Sequence, residues 1–190
     1  MPDDTDRSDD SAPPRALLVV AAALALALAA AAAVIGLVYG SDAEDEHAED
    51  DSALAVPGVP APDAGARACG SVLDATPDRL PIDGDGDGTA DRRELAEPAP
   101  PATTAWGLDD PIVLRCGVEQ PGELAPDSPL RAVNGVEWLP VEGAGSHTWY
   151  AVDRDVYIAL TVPDSAGTGP LQVMSETIAE TLEARPVEVE

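Results

Sequence analysis

The chain has 190 residues and a formal net charge of −26, from 36 acidic and 10 basic residues. Such a charge repels nucleic-acid phosphates and anionic lipid headgroups, so the chain is not expected to bind nucleic acid or to adhere to acidic lipid. With three Trp, three Tyr and no Phe, the core must consist mainly of aliphatic side chains.

The first part of the chain predicts a membrane anchor. Residues 1–15 are polar and acidic, whereas residues 16–39, "ALLVVAAALALALAAAAAVIGLVY", carry no charge. At about 1.5 Å per residue, this run is long enough to cross a ~30 Å hydrocarbon core as a single transmembrane helix. The alternative is a cleaved secretory signal, which has a shorter apolar region and ends in a small-residue cleavage site.

The few arginines near this segment predict its orientation. Arg7 and Arg15 precede it, and the next basic residue is Arg67. Because positive residues flanking a membrane helix favour the cytoplasmic side, residues 1–15 are predicted to be a cytoplasmic tail. The rest of the chain then lies outside, in a single-pass protein of the cell membrane.

The outer part is predicted to divide into a linker, a domain and a tail. Residues 40–65 are first acidic and then rich in Pro and Ala, which is typical of an extended linker. Residues 66–185 are predicted to form one extracytoplasmic domain, and residues 186–190 a short tail.

Helical patterns occur near both ends of this domain. "RACGSVLDATPDRL" has apolar residues near helical spacing, and its helix should end before Pro77 or Pro81. "GPLQVMSETIAETLEA" has a helical apolar stripe, with Pro170 suited to the first turn. Between them, "ELAEPAPPATTA" is predicted to be a Pro-rich connector.

Strand patterns dominate the middle of the domain. "PIVLRCGVEQP" has alternating apolar residues, and Asn134-Gly135 between apolar residues is a strong hairpin signal. "SHTWYAVDRDVYIALTVP" predicts two strands with a turn near Asp153 to Asp155. The expected fold class is α+β: a small antiparallel sheet flanked by an N-terminal and a C-terminal helix.

The two cysteines, Cys69 and Cys116, predict a disulfide. An extracytoplasmic space is oxidising, and neither cysteine belongs to a C-x-x-C motif. A redox pair or a nucleophilic thiol is the alternative, but no basic cluster surrounds either residue in the sequence to lower a thiol pKa.

The stretch "IDGDGDGTADRRE" matches the twelve-residue calcium loop of EF-hands at every ligand position. The predicted oxygen ligands for a calcium ion are Asp83, Asp85, Asp87, Thr89 through its carbonyl, Asp91 and Glu94.

The surroundings of this loop favour a different explanation. Pro81 leaves no room for the entering helix, position 8 is Ala90, and the sequence contains no second loop. Asp-Gly pairs are also common in turns. The stretch is therefore either a weak calcium site or a flexible acidic turn, and no other cofactor is expected.

Signs of catalysis are weak. His47 and His147 have no partner at metal-ligand spacing, and no G-x-S-x-G motif occurs. The three tryptophans would line a carbohydrate or peptide site, or else fill a core that lacks Phe.

Four segments together resemble a known family: "ACGSVLDATPDRL", "TAWGLDDPIVLRCGVEQP", "VNGVEWLPV" and "DRDVYIALTVP". They are similar to the actinobacterial family catalogued as domain of unknown function 3515, which comprises small membrane-anchored or secreted proteins. The resemblance covers about residues 66–185, and its most specific residues are Trp106, Gly107, Leu114, Arg115, Cys116, Gly117 and Val118. It implies an envelope location and supplies no activity or catalytic residues.

The expected function is thus a non-catalytic interaction module of the cell envelope, with other envelope proteins as partners. Two alternatives stay open. One is a calcium-binding module that uses the loop from Asp83 to Glu94. The other is a carboxylate-dependent envelope hydrolase, which would require two acids lining a deep pocket.

Overall fold

A computed structural model of the chain describes residue 24, residues 52–83 and residues 88–189. Ser52–Glu190 forms one compact unit, and Met1–Asp51 is a separate unit. The predicted cytoplasmic tail, the predicted transmembrane helix except Leu24, and residues 40–51 of the predicted linker lie outside the described residues. Within the described residues, no helix is both long enough and apolar enough to cross a membrane.

The described part of the compact unit combines helices and strands. Its helices are α1 (Arg67–Ala75) and α2 (Gly169–Thr181), with a 3₁₀ turn at Asp164–Ala166 before α2. Its strands are β1 (Arg79–Pro81), β2 (Thr89–Arg93), β3 (Thr103–Trp106), β4 (Ile112–Val118), β5 (Arg131–Val133), β6 (Val136–Glu142), β7 (Ser146–Ala151) and β8 (Tyr157–Pro163). The predicted α+β class, with a helix on either side of the strands in sequence, is confirmed.

The strands form one antiparallel sheet in the spatial order β1-β2-β3-β4-β8-β7-β6-β5. The predicted Asn134-Gly135 turn joins β5 to β6, and both residues have positive φ, 44° and 82°. These angles suit a two-residue hairpin turn, for which Asn-Gly is the favoured pair. Because β4 pairs with β8 in the middle of the sheet, residues 119–130 must pass to the far edge before β5 begins.

One face of the sheet, here the helix face, packs against α1 and α2. Its core contains Cys69 from α1, Met174 and Ile178 from α2, and Leu114 and Ile158 from the central strands. All five side chains are fully buried. The helices lie on this face because each presents an apolar stripe that must be removed from water.

The strands extend further toward the amino terminus than the sequence predicted. Part of the predicted Pro-rich connector is strand β3, which pairs with β4 over four residues. Thr103–Trp106 gives too short a pattern to identify alone, and its partner strand supplies the hydrogen bonds that fix it as a strand. Residues 89–93 of the Asp-Gly stretch likewise form strand β2, which pairs with β1.

Irregular segments cover parts of the opposite face, here the open face. Residues 52–64, which fall within the predicted linker, run along it: Asp63 N donates to Gly117 O at 3.1 Å, and Leu54 N donates to Glu94 O at 2.8 Å. At the other end, Val187 and Val189 pack against a small cluster of Leu124, Leu139 and Val152. The predicted domain of residues 66–185 thus gains contacts from the chain on both sides.

Candidate ligand groove on the open sheet face

The open face carries polar side chains in the middle of the sheet. Strand register aligns Arg115 of β4 with Ala159 of β8, and Ala159 with Tyr150 of β7. One step along, Thr161 of β8 aligns with Thr148 of β7. These residues alternate with core residues of the helix face because successive strand side chains point to opposite faces.

A cavity of about 350 Å³ lies above these side chains, and we name it the Arg115 chamber. Val59 and Pro60 of the amino-terminal segment line one side, and residues 121–123 line the other. The side chains of the sheet that line it are Arg115, Thr148, Tyr150, Ala159 and Thr161. The chamber is thus a polar floor between two irregular walls.

Arg115 is half-buried in this floor. Its Nη2 donates a hydrogen bond to the carbonyl oxygen of Pro57 at 3.4 Å. Its Nε is buried and has no hydrogen-bond partner among the described residues. Burial lowers the pKa of the Arg115 guanidinium, and the nearby Tyr150 partly opposes that shift. A guanidinium stays charged at neutral pH even so, because its ordinary pKa is far higher.

Tyr150 and the two threonines supply hydroxyl groups. Burial raises the pKa of the Tyr150 phenol, Glu123 raises it further, and Arg115 acts in the opposite direction. Tyr150 is therefore an uncharged phenol at neutral pH and can donate a hydrogen bond. The hydroxyl oxygens of Thr148 and Thr161 lie 3.1 Å apart and are hydrogen-bonded to each other.

A second cavity, of about 500 Å³, adjoins the first and is named the Arg154 chamber. The two chambers share Val118, Glu119 and Gln120 at the end of β4. The two chambers therefore adjoin at the end of β4, and together we call them the open-face groove.

Arg154, which lines this chamber, belongs to a buried ion pair with Asp153. Arg154 Nη1 lies 2.6 Å from Asp153 Oδ2, and only 1% and 7% of the two side chains are exposed. Arg154 Nη2 also donates to the carbonyl oxygen of Gly135 at 2.8 Å. The buried Asp153 Oδ1 and Arg154 Nε have no hydrogen-bond partner among the described residues.

The chamber rim is tied to the carboxyl-terminal segment. Arg185 forms an ion pair with Asp155, and its backbone N–H donates to the carbonyl oxygen of Asp153 at 2.8 Å. These contacts hold the segment after α2 beside the turn between β7 and β8. The chain that forms this end of the groove is therefore held in place, and Arg185 is already paired with the carboxylate of Asp155.

The arrangement suits binding an extended ligand. A guanidinium presents several donors in one plane and pairs well with carboxylate or carbonyl oxygens. The phenol and hydroxyls beside it add neutral hydrogen-bonding groups. Partly apolar walls around a few polar groups are typical of a binding site that fixes the orientation of its ligand.

The predicted disulfide is confirmed. The sulfur atoms of Cys69 and Cys116 are bonded, and their Cα atoms are 5.4 Å apart. The bond joins α1 to β4 on the helix face, so Cys116 and Arg115 lie on opposite faces of the same strand. Neither cysteine belongs to the groove.

The described members of the predicted calcium set lie along the β1–β2 hairpin. Ile82 N donates to Gly88 O at 2.8 Å at the base of the loop, and Asp83 N donates to Ala166 O at 3.0 Å. Thr89 and Asp91 lie in β2. Asp91 forms an ion pair with Arg79 of β1, with 2.7 Å between Asp91 Oδ1 and Arg79 Nε.

Glu94 follows the end of β2, while Asp85 and Asp87 lie outside the described residues. Within residues 52–83 and 88–189, no three His, Cys, Asp or Glu side chains are grouped closely enough to hold a metal ion. Calcium binding by the whole set stays a prediction.

None of the groove residues was predicted from the sequence to belong to a site. One signal was present: Arg115 is the only charged residue in the strand "IVLRCGV", where it alternates with core residues. For Thr148 and Tyr150 no local signal exists, because their proximity to Arg115 depends on the pairing of β4 with β8 and of β8 with β7.

A family model described as "Protein of unknown function (DUF3515)" matches residues 19–187. The chain therefore belongs to this family, and the resemblance identified from four sequence segments is confirmed. No curated protein matches the chain, and no solved structure matches it.

Proposed function

We propose that this DUF3515 protein is a non-catalytic interaction module of the cell envelope that binds an extended polypeptide segment of another envelope protein. The segment lies in the open-face groove and presents a carboxylate to Arg115. The observation that carries the proposal is a half-buried arginine with an unpartnered Nε among the described residues, on a floor of hydroxyl groups.

The protein's own chain supports an extended polypeptide as the ligand. Residues 52–64 already lie along the open face, and the Pro57 carbonyl accepts a hydrogen bond from Arg115. Glu119 N donates to Pro60 O at 3.4 Å on the same wall. A second extended segment would find the Tyr150 hydroxyl and the guanidinium of Arg115 on the floor of the same chamber.

Charge supports a partner that is basic overall. The chain has a net charge of −26, which attracts cationic segments over long distances and speeds their association. Within the groove, the charge of Arg115 favours a carboxylate, from an acidic side chain or a chain terminus. A basic segment that carries one such carboxylate fits both features.

The location is part of the proposal. Residues 16–39 would anchor the protein as one transmembrane helix, with residues 1–15 in the cytoplasm. Protease added outside intact cells should then remove the compact unit and leave the amino-terminal tail protected. Protection of the compact unit, or recovery of a protein that lacks residues 1–39, would contradict this topology.

Site-specific crosslinking in cells tests the binding. A photoreactive amino acid at Thr148 of the full-length protein should form adducts with a defined partner segment, and Arg115→Gln in the same chain should abolish them. The same probe at Glu180, an exposed position of α2, is the control for nonspecific contact.

The partner segment identified in this way is then synthesised and titrated against the full-length protein. Arg115→Gln should weaken binding about tenfold or more, and Arg115→Lys should weaken it less, because lysine keeps the charge but loses the planar donor pair. Equal binding by wild-type and Arg115→Gln proteins of equal stability would overturn the proposal.

A further inference from the structure

The three tryptophans differ in their surroundings. Trp106 and Trp138 are fully buried, and each indole N–H donates a hydrogen bond, to Pro77 O and to Ser175 Oγ respectively. Both belong to the core, as one of the two interpretations of the sequence predicted. Trp149 is only partly buried and stands at a surface cavity.

This cavity, the Trp149 pocket, has a volume of about 320 Å³. It lies between β7 and the chain that leads into α2, and its lining is His147, Trp149, Val162, Pro163, Asp164, Gly167 and Thr168. His147 and Trp149 alternate along β7 with Thr148 and Tyr150. The pocket therefore opens on the helix face, on the opposite side of the sheet from the groove.

The pocket has an aromatic wall with polar groups beside it. The rings of His147 and Trp149 are stacked, with centroids 6.4 Å apart and an angle of 30° between their planes. His147 Nδ1 lies 3.0 Å from Asp164 Oδ1, and the two side chains are 42% and 57% exposed. This pair holds an imidazole and a carboxylate at the pocket mouth, within reach of solvent.

We propose that the Trp149 pocket binds one ring of a neutral saccharide. A sugar ring has an apolar face of C–H groups, which packs favourably on the electron-rich face of an indole, and hydroxyl groups around its edge. Asp164 accepts hydrogen bonds from such hydroxyls, while the side chains of His147 and Thr168 can donate or accept them. Val162 and Pro163 extend the apolar surface beside the ring.

Charge distinguishes this ligand from its competitors. The chain has a net charge of −26, and Asp164 places a carboxylate at the pocket itself. An anionic sugar would therefore be repelled. A quaternary ammonium group would also contact an aromatic face. The hydroxyl and imidazole groups at the mouth favour the saccharide, because an ammonium group without N–H has no donor or acceptor for them.

Nuclear magnetic resonance of the ¹⁵N-labelled full-length protein tests the inference. The protein is kept in a polyoxyethylene detergent, which contains no sugar, and is titrated with cellotetraose and with tetra-N-acetylchitotetraose. The Trp149 indole signal, identified by its loss in Trp149→Phe, should shift saturably with a dissociation constant of about 1 mM or below. The signals of the buried Trp106 and Trp138 should stay in place.

Variants at the pocket mouth locate the site. Asp164→Asn and Trp149→Ala should each weaken binding about tenfold or more. Asp127→Asn, which removes a charge from an exposed loop, is the matched control and should bind normally. Arg115→Gln in the groove should also bind normally, so failure of this inference is distinguishable from failure of the proposed function.

Three results would overturn the inference. These are no shift with either saccharide at about 50 mM, unchanged binding by Asp164→Asn, or a response to choline without a response to the saccharides. If Trp149→Ala does not retain the Trp106 and Trp138 signals of the folded protein, the exposed Asp164→Asn variant decides the result alone.

Discussion

The helix face and the open face of the sheet use the same strands for different chemistry. On β4, Leu114 and Cys116 are fully buried beneath the helices, while Arg115 between them reaches the groove. On the helix face the buried indole N–H groups are paired, whereas on the open face the buried Nε of Arg115 has no partner among the described residues. The paired polar groups of the helix face contribute to stability, and the open face is the one for which we propose binding.

Removing the disulfide should have the largest effect on stability, because it connects α1 to the central strand of the helix face. The bond joins cysteines 47 positions apart, and a closed loop of this size contributes about 4 kcal/mol in the chain-entropy description. The double variant Cys69→Ala/Cys116→Ala should lose about that much free energy of unfolding in a denaturant titration. A loss below about 1 kcal/mol would show that α1 is held by packing alone.

Gly117→Ala should give the next largest loss, because the backbone of Asp63 and Ala64 packs directly against Gly117 in β4. Its φ is +76°, and a Cβ there would lie 2.3 Å from the carbonyl carbon of Asp63. The segment of residues 52–64 would have to move away, at a cost of about 3 kcal/mol.

Gly70→Ala is the matched control for Gly117→Ala. Gly70 lies in α1, where a Cβ would have nothing within 4 Å, so alanine should stabilise the helix by about 0.5 kcal/mol or more. Equal midpoints of thermal unfolding for the two variants would contradict this difference.

A pair of hydroxyl deletions compares the faces directly. Ser175→Ala leaves the buried indole N–H of Trp138 without its acceptor, which lies 2.9 Å away, and should cost about 1–3 kcal/mol. Thr161→Val removes the partner of Thr148 in the part-buried groove and should cost about 0.5 kcal/mol. If Thr161→Val cost as much as Ser175→Ala, the open face would also be built for stability.

The loop between β1 and β2 belongs to neither comparison, because its predicted role is calcium binding. If the predicted set from Asp83 to Glu94 binds calcium with a dissociation constant of ~1 mM, then ~10 mM calcium should stabilise the full-length protein by about 1.4 kcal/mol. Glu94→Gln should remove this effect, and Glu97→Gln, outside the predicted loop, should keep it. Stabilisation by sodium chloride of equal ionic strength would instead indicate screening of the many carboxylates.

The smallest expected effect is a pH dependence from the open face. Because the folded protein raises the pKa of Tyr150, the folded state holds its proton more strongly than the unfolded state does. This contribution to stability is complete below the ordinary tyrosine pKa of about 10 and is lost as the pH rises through the higher folded value. Tyr150→Phe should show a shallower loss of stability above about pH 10, and identical curves would contradict the assignment.

Local patterns determined much of the fold. Asn134-Gly135 encodes its turn because those two residues tolerate positive φ, and β4 and β8 follow from alternating apolar residues. The two helices follow from apolar residues at helical spacing and from the prolines that end or begin them. The cysteine pair followed from the expected oxidising location. Apart from the cysteine pair, whose members are 47 positions apart, each of these features depends on residues that are neighbours in sequence.

Tertiary structure alone decided the groove and the Trp149 pocket. Arg115 meets Tyr150 because β8 lies between β4 and β7, and Trp149 is left partly uncovered because of where the chain enters α2. Likewise, β3 is a strand because β2 and β4 pair with it on either side. Sequence determines local conformation through backbone preference and side-chain periodicity. Which side chains share a site depends on strand order, because pairing brings together residues that are distant along the chain.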